Sequence, residues 1–336
     1  MVYLLIYFTA VCLTHDASAA SDPLNVLAEL ITSRSARQDS ESSDDAGQEY
    51  FNTRTELLFA DLQVRSTGLL SAQRFFHKAT RFGLPTTEGL RFFDNYIVSY
   101  DRRLKNPVWV LQHWDARDFK KEKVTRRRLR NLYHDATTPE MFQATGEDYK
   151  GSRYERGHMM ASSRNVRPAH FHQTYYITNI VPQFHDLNSG LMFRLECYIE
   201  YLAVRSKNMY IITGSLYLPP GGIHYLAVAG DDDEVTLTYS VIGRTRVAVP
   251  SHFYKVFVRE HTDGELSMEA FLVENCEGST RHVSLEHSRL DIDRDLPELE
   301  QAAGMTMFDI IDRTKIAKPH HTLHGFMENL LARTSR

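Results

Sequence analysis

Cysteine is scarce: Cys12, Cys197 and Cys276 are the only three in 336 residues. That is too few for a disulfide scaffold, and none stands at the close spacing of a zinc-binding Cys pair. Glycine-rich phosphate loops are absent, as are internal repeats, so neither a dinucleotide fingerprint nor a solenoid fits. No apolar run approaches the roughly 20 residues of a membrane span except near residue 1. An excess of charge is also lacking: 39 basic residues face 43 acidic ones, for a formal net of −4. Taken whole, such a chain looks like a poor partner for nucleic acid. With 42% hydrophobic and 24% charged residues, it is neither collagen-like nor wholly disordered.

The charge is unevenly distributed. Eight acids and only Arg34 and Arg37 lie in the first 49 residues, so the remainder is slightly net positive. Residues 38–49 are acidic and Ser-rich with almost no apolar content, the composition of a disordered linker. Ahead of it, residues 4–13 form an apolar stretch followed by Ala17-Ser18-Ala19, as in a secretory signal peptide, although no Lys or Arg precedes the stretch. A short uncleaved membrane anchor, giving membrane association through this segment, is the other reading. The expected organisation is a leader over 1–20, an acidic linker over 21–50, one catalytic domain over 51–316 and a helical tail over 317–336.

Apolar spacing predicts one or two helices within 51–82 and a helix over 191–203, with Leu195, Tyr198, Ile199 and Leu202 as its apolar stripe. Strands are expected at 108–111, 175–177, 209–213, 235–241, 253–258 and 268–273. Strands and helices mix without regular alternation, which favours an α+β fold.

Residues 149–200 carry the chemistry. Arg156-Gly157-His158 sets a permanent cation and a titratable imidazole side by side, and Asn179, Gln183 and Asn188 supply neutral amides. Glu196 lies eight residues after Asn188, about two helical turns on if Asn188 caps the helix. This set suits phosphodiester hydrolysis. A neutral histidine can take a proton from water near pH 7. A hard cation prefers oxygen ligands and keeps most of its waters. Taken singly, each residue is better read as a cap, a surface group or a packed side chain.

Taken together, ERGHM, then ITNIVPQ, then DLNSG and RLE, with SYDRRLKNPVWVLQH, EDYKGSRYERGHM and VAVPSHFYKV in support, resemble the DNA/RNA non-specific endonuclease family. The resemblance covers about residues 80–316 and is strongest with its exonuclease-G-like and endonuclease G mitochondrial branch. It implies a ββα-metal (His-Me finger) nuclease with a central, mainly antiparallel sheet flanked by helices. It implies Mg²⁺, with Mn²⁺ as a substitute, and DNA and RNA as substrates cleaved with little sequence specificity by an exonuclease or endonuclease. It further implies a homodimer and a mitochondrial location at the inner membrane or intermembrane space; secretion is the alternative from the leader.

By the same resemblance His158 is the general base and Asn188 the direct metal ligand. Glu196 holds metal-bound water, and Arg156 contacts phosphate or fixes the loop. Asn179 and Gln183 support the site, and Glu155 supports the histidine. The chain departs from the family pattern at three positions: Glu155 where Asp is usual, Met192 where Trp is usual, and Glu200 where Arg is common.

Lys120, Lys121, Lys123, Arg126, Arg127, Arg128 and Arg130 form a dense basic run expected to bind nucleic-acid phosphate. His170 with His172, and His320, His321 and His324, imitate metal sites but have no Cys nearby, so they read as loop or solvated histidines. Cys197 reads as a packed side chain. The tail from Leu323 to Ala332 has helical apolar spacing and fits either core packing or a short helical wing. Two rival functions remain at this level: a catalytically altered nucleic-acid binder, motivated by Glu155 and Glu200, and a zinc-dependent hydrolase built on the His clusters.

Overall fold

The computed structural model describes residues 75–115, 131–162, 168–219, 222–224, 236–278, 284–317 and 326. The leader, the acidic linker, the basic run and His320–His324 lie outside the described residues. In chain order the strands are β1 (Leu90–Phe92), β2 (Tyr96–Asp101), β3 (Asn106–Asp115), β4 (Tyr154–His158), β5 (Ile180–Phe184), β6 (Asn208–Leu216), β7 (Val241–Ile242), β8 (Val247–Ala248), β9 (His252–Glu260), β10 (Leu266–Glu274) and β11 (Arg289–Leu290). Three α-helices have described bounds, α1 (Pro168–Gln173), α2 (Met192–Ala203) and α3 (Asp295–Ala303), and residues 75–79, within the stretch expected to be helical, are helical too.

A seven-stranded sheet, ordered β1-β2-β3-β6-β9-β10-β11 and antiparallel at every pairing, forms the centre. The expected α+β class and antiparallel sheet are therefore present. Every residue of β9 is buried, because both faces of the sheet are covered. This explains why the central strands appear in the sequence as apolar runs rather than clean alternations. On one face Ile211, Phe253, Phe257, Phe271 and Val273 pack against Leu195, Tyr198, Ile199 and Leu202, the stripe expected for α2. On the other, the Tyr254 hydroxyl reaches Met305 Sδ, just beyond α3, at 3.6 Å.

A polar contact fixes α2 within this apolar interface. The Tyr198 hydroxyl donates to both carboxylate oxygens of the buried Glu269, at 3.0 and 3.1 Å, and Arg289 of β11 pairs with the same carboxylate at 3.1 Å. Burial outweighs Arg289 and pushes the Glu269 carboxyl up to about 6. Phe326 of the tail packs its ring on Tyr198 and Tyr201, with centroids 5.3 and 5.4 Å apart. That contact gives this part of the tail a core-packing role.

A second, two-stranded sheet stands apart from the first. Its strands β4 and β5 pair antiparallel from Tyr154↔Phe184 to His158↔Ile180. A π-turn, Leu187–Leu191, follows β5 and runs directly into α2, completing a ββα element. Asn275 joins this element to the large sheet. Its Nδ2 donates to the Pro182 and Pro250 carbonyls, at 3.1 and 2.9 Å, and its Oδ1 accepts from the Phe184 N–H at 3.0 Å.

Several expectations need correction. Residues 175–177 make only a single parallel bridge, Tyr176 to Tyr133, because the chain turns at once into a 3₁₀ turn, Ile177–Asn179. Residues 236–240 form no regular strand and only Val241–Ile242 pairs, since Leu237, Tyr239 and Val241 face solvent without a covering layer. His170 and His172 lie on α1, not in a loop. Asn188 is not an N-cap; the helical path begins before it and Asn188 sits inside the π-turn. Strands β1, β2, β4, β5, β8 and β11 lie outside the strands expected from the sequence pattern.

The Tyr198–Glu269 contact generates two expectations. Tyr198→Phe removes a donor from a buried carboxylate and should lower unfolding stability by about 2 kcal/mol in a denaturant titration. The folded chain keeps the Glu269 proton up to about pH 6, whereas an unfolded glutamate releases it at roughly 4.3. This group's contribution to stability therefore declines as pH rises across that interval and is level above it. Melting curves of Glu269→Gln and the parent should diverge in the variant's favour across that interval and run parallel beyond it.

Candidate active site

The site grows from the ends of β4 and the start of α2. Arg156 and His158 are two residues apart on an extended strand, so their side chains leave β4 on the same side. Arg156 is exposed and His158 half-buried. The His158 ring meets Tyr175 edge-on, with centroids 4.8 Å apart, and is hydrogen-bonded to the backbone of Arg156. Its Nε2 is buried in the protein alone and makes no hydrogen bond among the described residues. Burial, and then the Arg156 guanidinium, push the imidazole down to about 4. At neutral pH the ring is uncharged and carries one unpaired nitrogen, the form that a general base requires.

The loop after His158 is held by Asn179. Its Oδ1 accepts from the Met160 N–H at 2.8 Å, and its Nδ2 donates to the Met160 and Thr174 carbonyls at 3.0 and 2.8 Å. The Asn179 carbonyl also accepts from the Met159 N–H at 3.0 Å. This side chain is fully buried and spends its amide on the backbone flanking the histidine. Asn179 thus acts on the site by fixing the chain that carries His158. Gln183, also buried, lies across from Glu155 in the hairpin register and packs over Gly157. A Cβ at position 157 would collide with the Gln183 side chain, which is the reason for a glycine between Arg156 and His158. The Gln183 Nε2 is buried and unpaired.

Glu155 corrects an expectation. Its Oε2 accepts from Asn188 Nδ2 at 2.7 Å, and its Oε1 meets His185 Nδ1 at 2.7 Å. Three residues of extended strand put Glu155 about 10 Å along β4 from His158, and both of its oxygens are already engaged. The residue therefore supports Asn188 rather than the histidine. The bond from Nδ2 leaves the Asn188 carbonyl oxygen on the opposite side of the amide. Contact with Glu155 raises the His185 imidazole, through the hydrogen bond first and the charge second. No hydrogen bond joins His158 to Asn188 among the described residues; each is presented by its own element.

Glu196 is half-buried on α2 and faces Lys255 of β9. Lys255 is buried and donates to Thr213 Oγ1 at 2.9 Å. Burial lowers its affinity for a proton, while Glu196 raises it. Sequence reading misses His185, Lys255 and Asn275. Only Lys255 carries a signal, as a charged residue inside an apolar strand run. A further cation-rich cleft, about 690 Å³, lies beyond the far end of α2 and is lined by His77, Lys78, Arg81, His113 and Lys207. Its Arg81 and Lys207 are both paired with Glu260 at 2.8 Å, and it contains none of the expected site residues. Cys197 packs against the core as expected, and both Cys197 and Cys276 are free thiols. Among the described residues no group of three or more His, Cys, Asp or Glu side chains is placed to hold a metal ion.

A hard, largely hydrated cation needs few direct ligands and all of them oxygen. An amide carbonyl oriented by Glu155, with a carboxylate two turns further along the same helix, fits such an ion. Softer metals would call for His or Cys at this position.

Comparison with known proteins identifies the family. The family model for DNA/RNA non-specific endonucleases matches residues 77–314. The chain is 34% identical over 242 residues to the mitochondrial nuclease EXOG of Xenopus laevis, covering 71% of this chain and 63% of that protein. It is 31% identical over 249 residues to the mitochondrial endonuclease G of Caenorhabditis elegans, covering 73% and 76%. The chain therefore spans a little under two thirds of the EXOG nuclease it matches. The crystal structure of the EndoG/EndoGI complex contains a chain similar in fold, with a TM-score of 0.65 and 30% identity over 73% of this chain and 95% of that one. With a family model that covers well over half its length, and relatives more than 30% identical over about 70% of it, the chain belongs to the DNA/RNA non-specific endonuclease family.

Proposed function

We propose that the protein is a Mg²⁺-dependent nuclease that hydrolyses phosphodiester bonds in DNA and also RNA with little sequence specificity, as exonuclease, endonuclease or both. The observation that carries this reading is the pair of prepared groups on one ββα element. These are an uncharged His158 with an unpaired Nε2, and an Asn188 whose amide is oriented by Glu155.

In this mechanism the uncharged His158 ring takes a proton from water. The resulting hydroxide attacks phosphorus, the bond to the 3′ oxygen breaks, and that oxygen takes a proton from solvent water, so that a 5′-phosphate and a 3′-hydroxyl result. Arg156, exposed on the same side of β4 as His158, binds a phosphate oxygen. Asn188 and Glu196 are the residues that would hold the cation, and Lys255 fixes the Glu196 carboxylate by its charge. When bound, the cation neutralises the negative charge that develops on the phosphate and the leaving oxygen. Asn179 and Gln183 keep the loop and strand around His158 in place.

The further readings rest on the relatives and the sequence. The catalytic domain runs over 51–316, between an N-terminal leader and linker and a C-terminal helical tail. The protein works as a homodimer in mitochondria, as the names of its EXOG and endonuclease G relatives suggest for location. A fluorescent fusion of residues 1–50 distinguishes this location from the secretory route that the leader composition favours. The basic run from Lys120 to Arg130 adds phosphate contacts outside the site.

Three measurements check the proposal. With a 5′-labelled duplex and Mg²⁺, His158→Ala should lose on the order of 10²- to 10⁴-fold in rate, while EDTA abolishes cleavage by the parent. The base form of His158 exists above about pH 4, so kcat/KM should fall only as pH drops through that region. Arg156→Gln removes a neighbouring positive charge and should move this acid limb to higher pH. Neutralising Arg126, Arg127 and Arg128 should flatten the dependence of duplex binding on salt, by about 0.9 in the log–log slope for each phosphate that no longer meets a cation. An unchanged slope would remove the basic run from the interface.

A further inference from the structure

We propose that His185 is a positioning residue that fixes the orientation of Asn188 through Glu155; this rests on the metal-nuclease reading above. Three separate pieces of chain meet at one carboxylate. Glu155 comes from β4, His185 from the link after β5, and Asn188 from the π-turn that opens the helix. The two contacts use different oxygens of Glu155, each at 2.7 Å.

The consequence is geometric. A carboxamide can present either its oxygen or its nitrogen to a cation, and only the oxygen is a ligand. Holding Nδ2 on Glu155 Oε2 selects the ligating orientation. A carboxylate bound at one oxygen can still turn about its last bond, and Glu has one more rotatable bond than Asp. The second contact, at Oε1, removes that freedom. The glutamate that replaces the usual aspartate is thus long enough to span two partners, and His185 supplies the second.

Packing does not explain the contact. The His185 side chain is 70% exposed, and Glu155 is 39% exposed. A hydrogen bond at that exposure adds little to fold stability, so its value lies in orientation. To donate to the carboxylate, His185 must carry a proton on Nδ1. A side chain with a donor at similar reach can replace it in part, and alanine cannot.

The test uses the full chain and Mn²⁺ as the probe, with free Mn²⁺ followed by electron paramagnetic resonance beside thermal melting and duplex cleavage. His185→Ala should weaken Mn²⁺ binding about 10-fold, the usual scale for a group behind a metal ligand. Its melting temperature should not change, and its cleavage should recover with excess Mn²⁺. His185→Gln should restore part of the affinity. In a Glu155→Asp background the shorter carboxylate cannot span both partners, so adding His185→Ala should change nothing further. Parental Mn²⁺ affinity in His185→Ala, or an equal loss in both backgrounds, would overturn the inference while leaving the nuclease reading intact. A parent chain that neither binds Mn²⁺ nor cleaves would overturn the metal reading, and this inference with it.

Discussion

The docking of α2 on the large sheet is the constraint on which the rest depends. Leu195, Tyr198, Ile199 and Leu202 close one face of β6, β9 and β10, and in doing so they place the π-turn and Asn188 at one end of the helix. An apolar interface alone fixes such a helix loosely about its axis, because hydrophobic burial is not directional. The Tyr198–Glu269–Arg289 contact adds direction at the buried side. Asn275 does the same for the hairpin, tying β5 to the segment that leads into β9. Helix and hairpin are thus each tied to one sheet by a polar contact within a packed surface.

On that frame the site separates satisfied from unsatisfied groups. Asn179 has all its amide atoms bonded to backbone and serves as structure. His158 Nε2 and Gln183 Nε2 are buried without partners. Buried polar atoms in that state are costly, and they persist where function uses them. The imidazole illustrates the balance: burial and the Arg156 charge keep it neutral, so it stays a proton acceptor under conditions in which an exposed histidine would be partly protonated.

Much of this is legible in the sequence because the residues concerned lie close together in it. The stripe of α2 follows from helical spacing, and the β6, β9 and β10 runs follow from burial on both faces. The candidate site residues lie within one stretch, Tyr149–Glu200. What escapes depends on contacts through space. The family resemblance assigns Glu155 to the histidine, yet its carboxylate crosses to Asn188 and His185. Asn188 looks like a cap because Asn before an apolar stripe normally is one, and nothing local announces a π-turn. The apparent strand at 175–177 shrinks to one bridge with Tyr133 because the chain turns into a 3₁₀ turn directly after it. His185, Asn275 and Lys255 acquire roles only once the chain has folded back on itself.

The central claim is that water, deprotonated at His158, attacks phosphorus and expels the 3′ oxygen. The most direct measurement is cleavage of a duplex with Mg²⁺ in oxygen-18-enriched water, followed by mass analysis of the new ends. The account predicts one heavy oxygen on each new 5′-phosphate and unlabelled 3′-hydroxyl ends. Label on 3′-phosphate ends, or no Mg²⁺-dependent product at all, would contradict it.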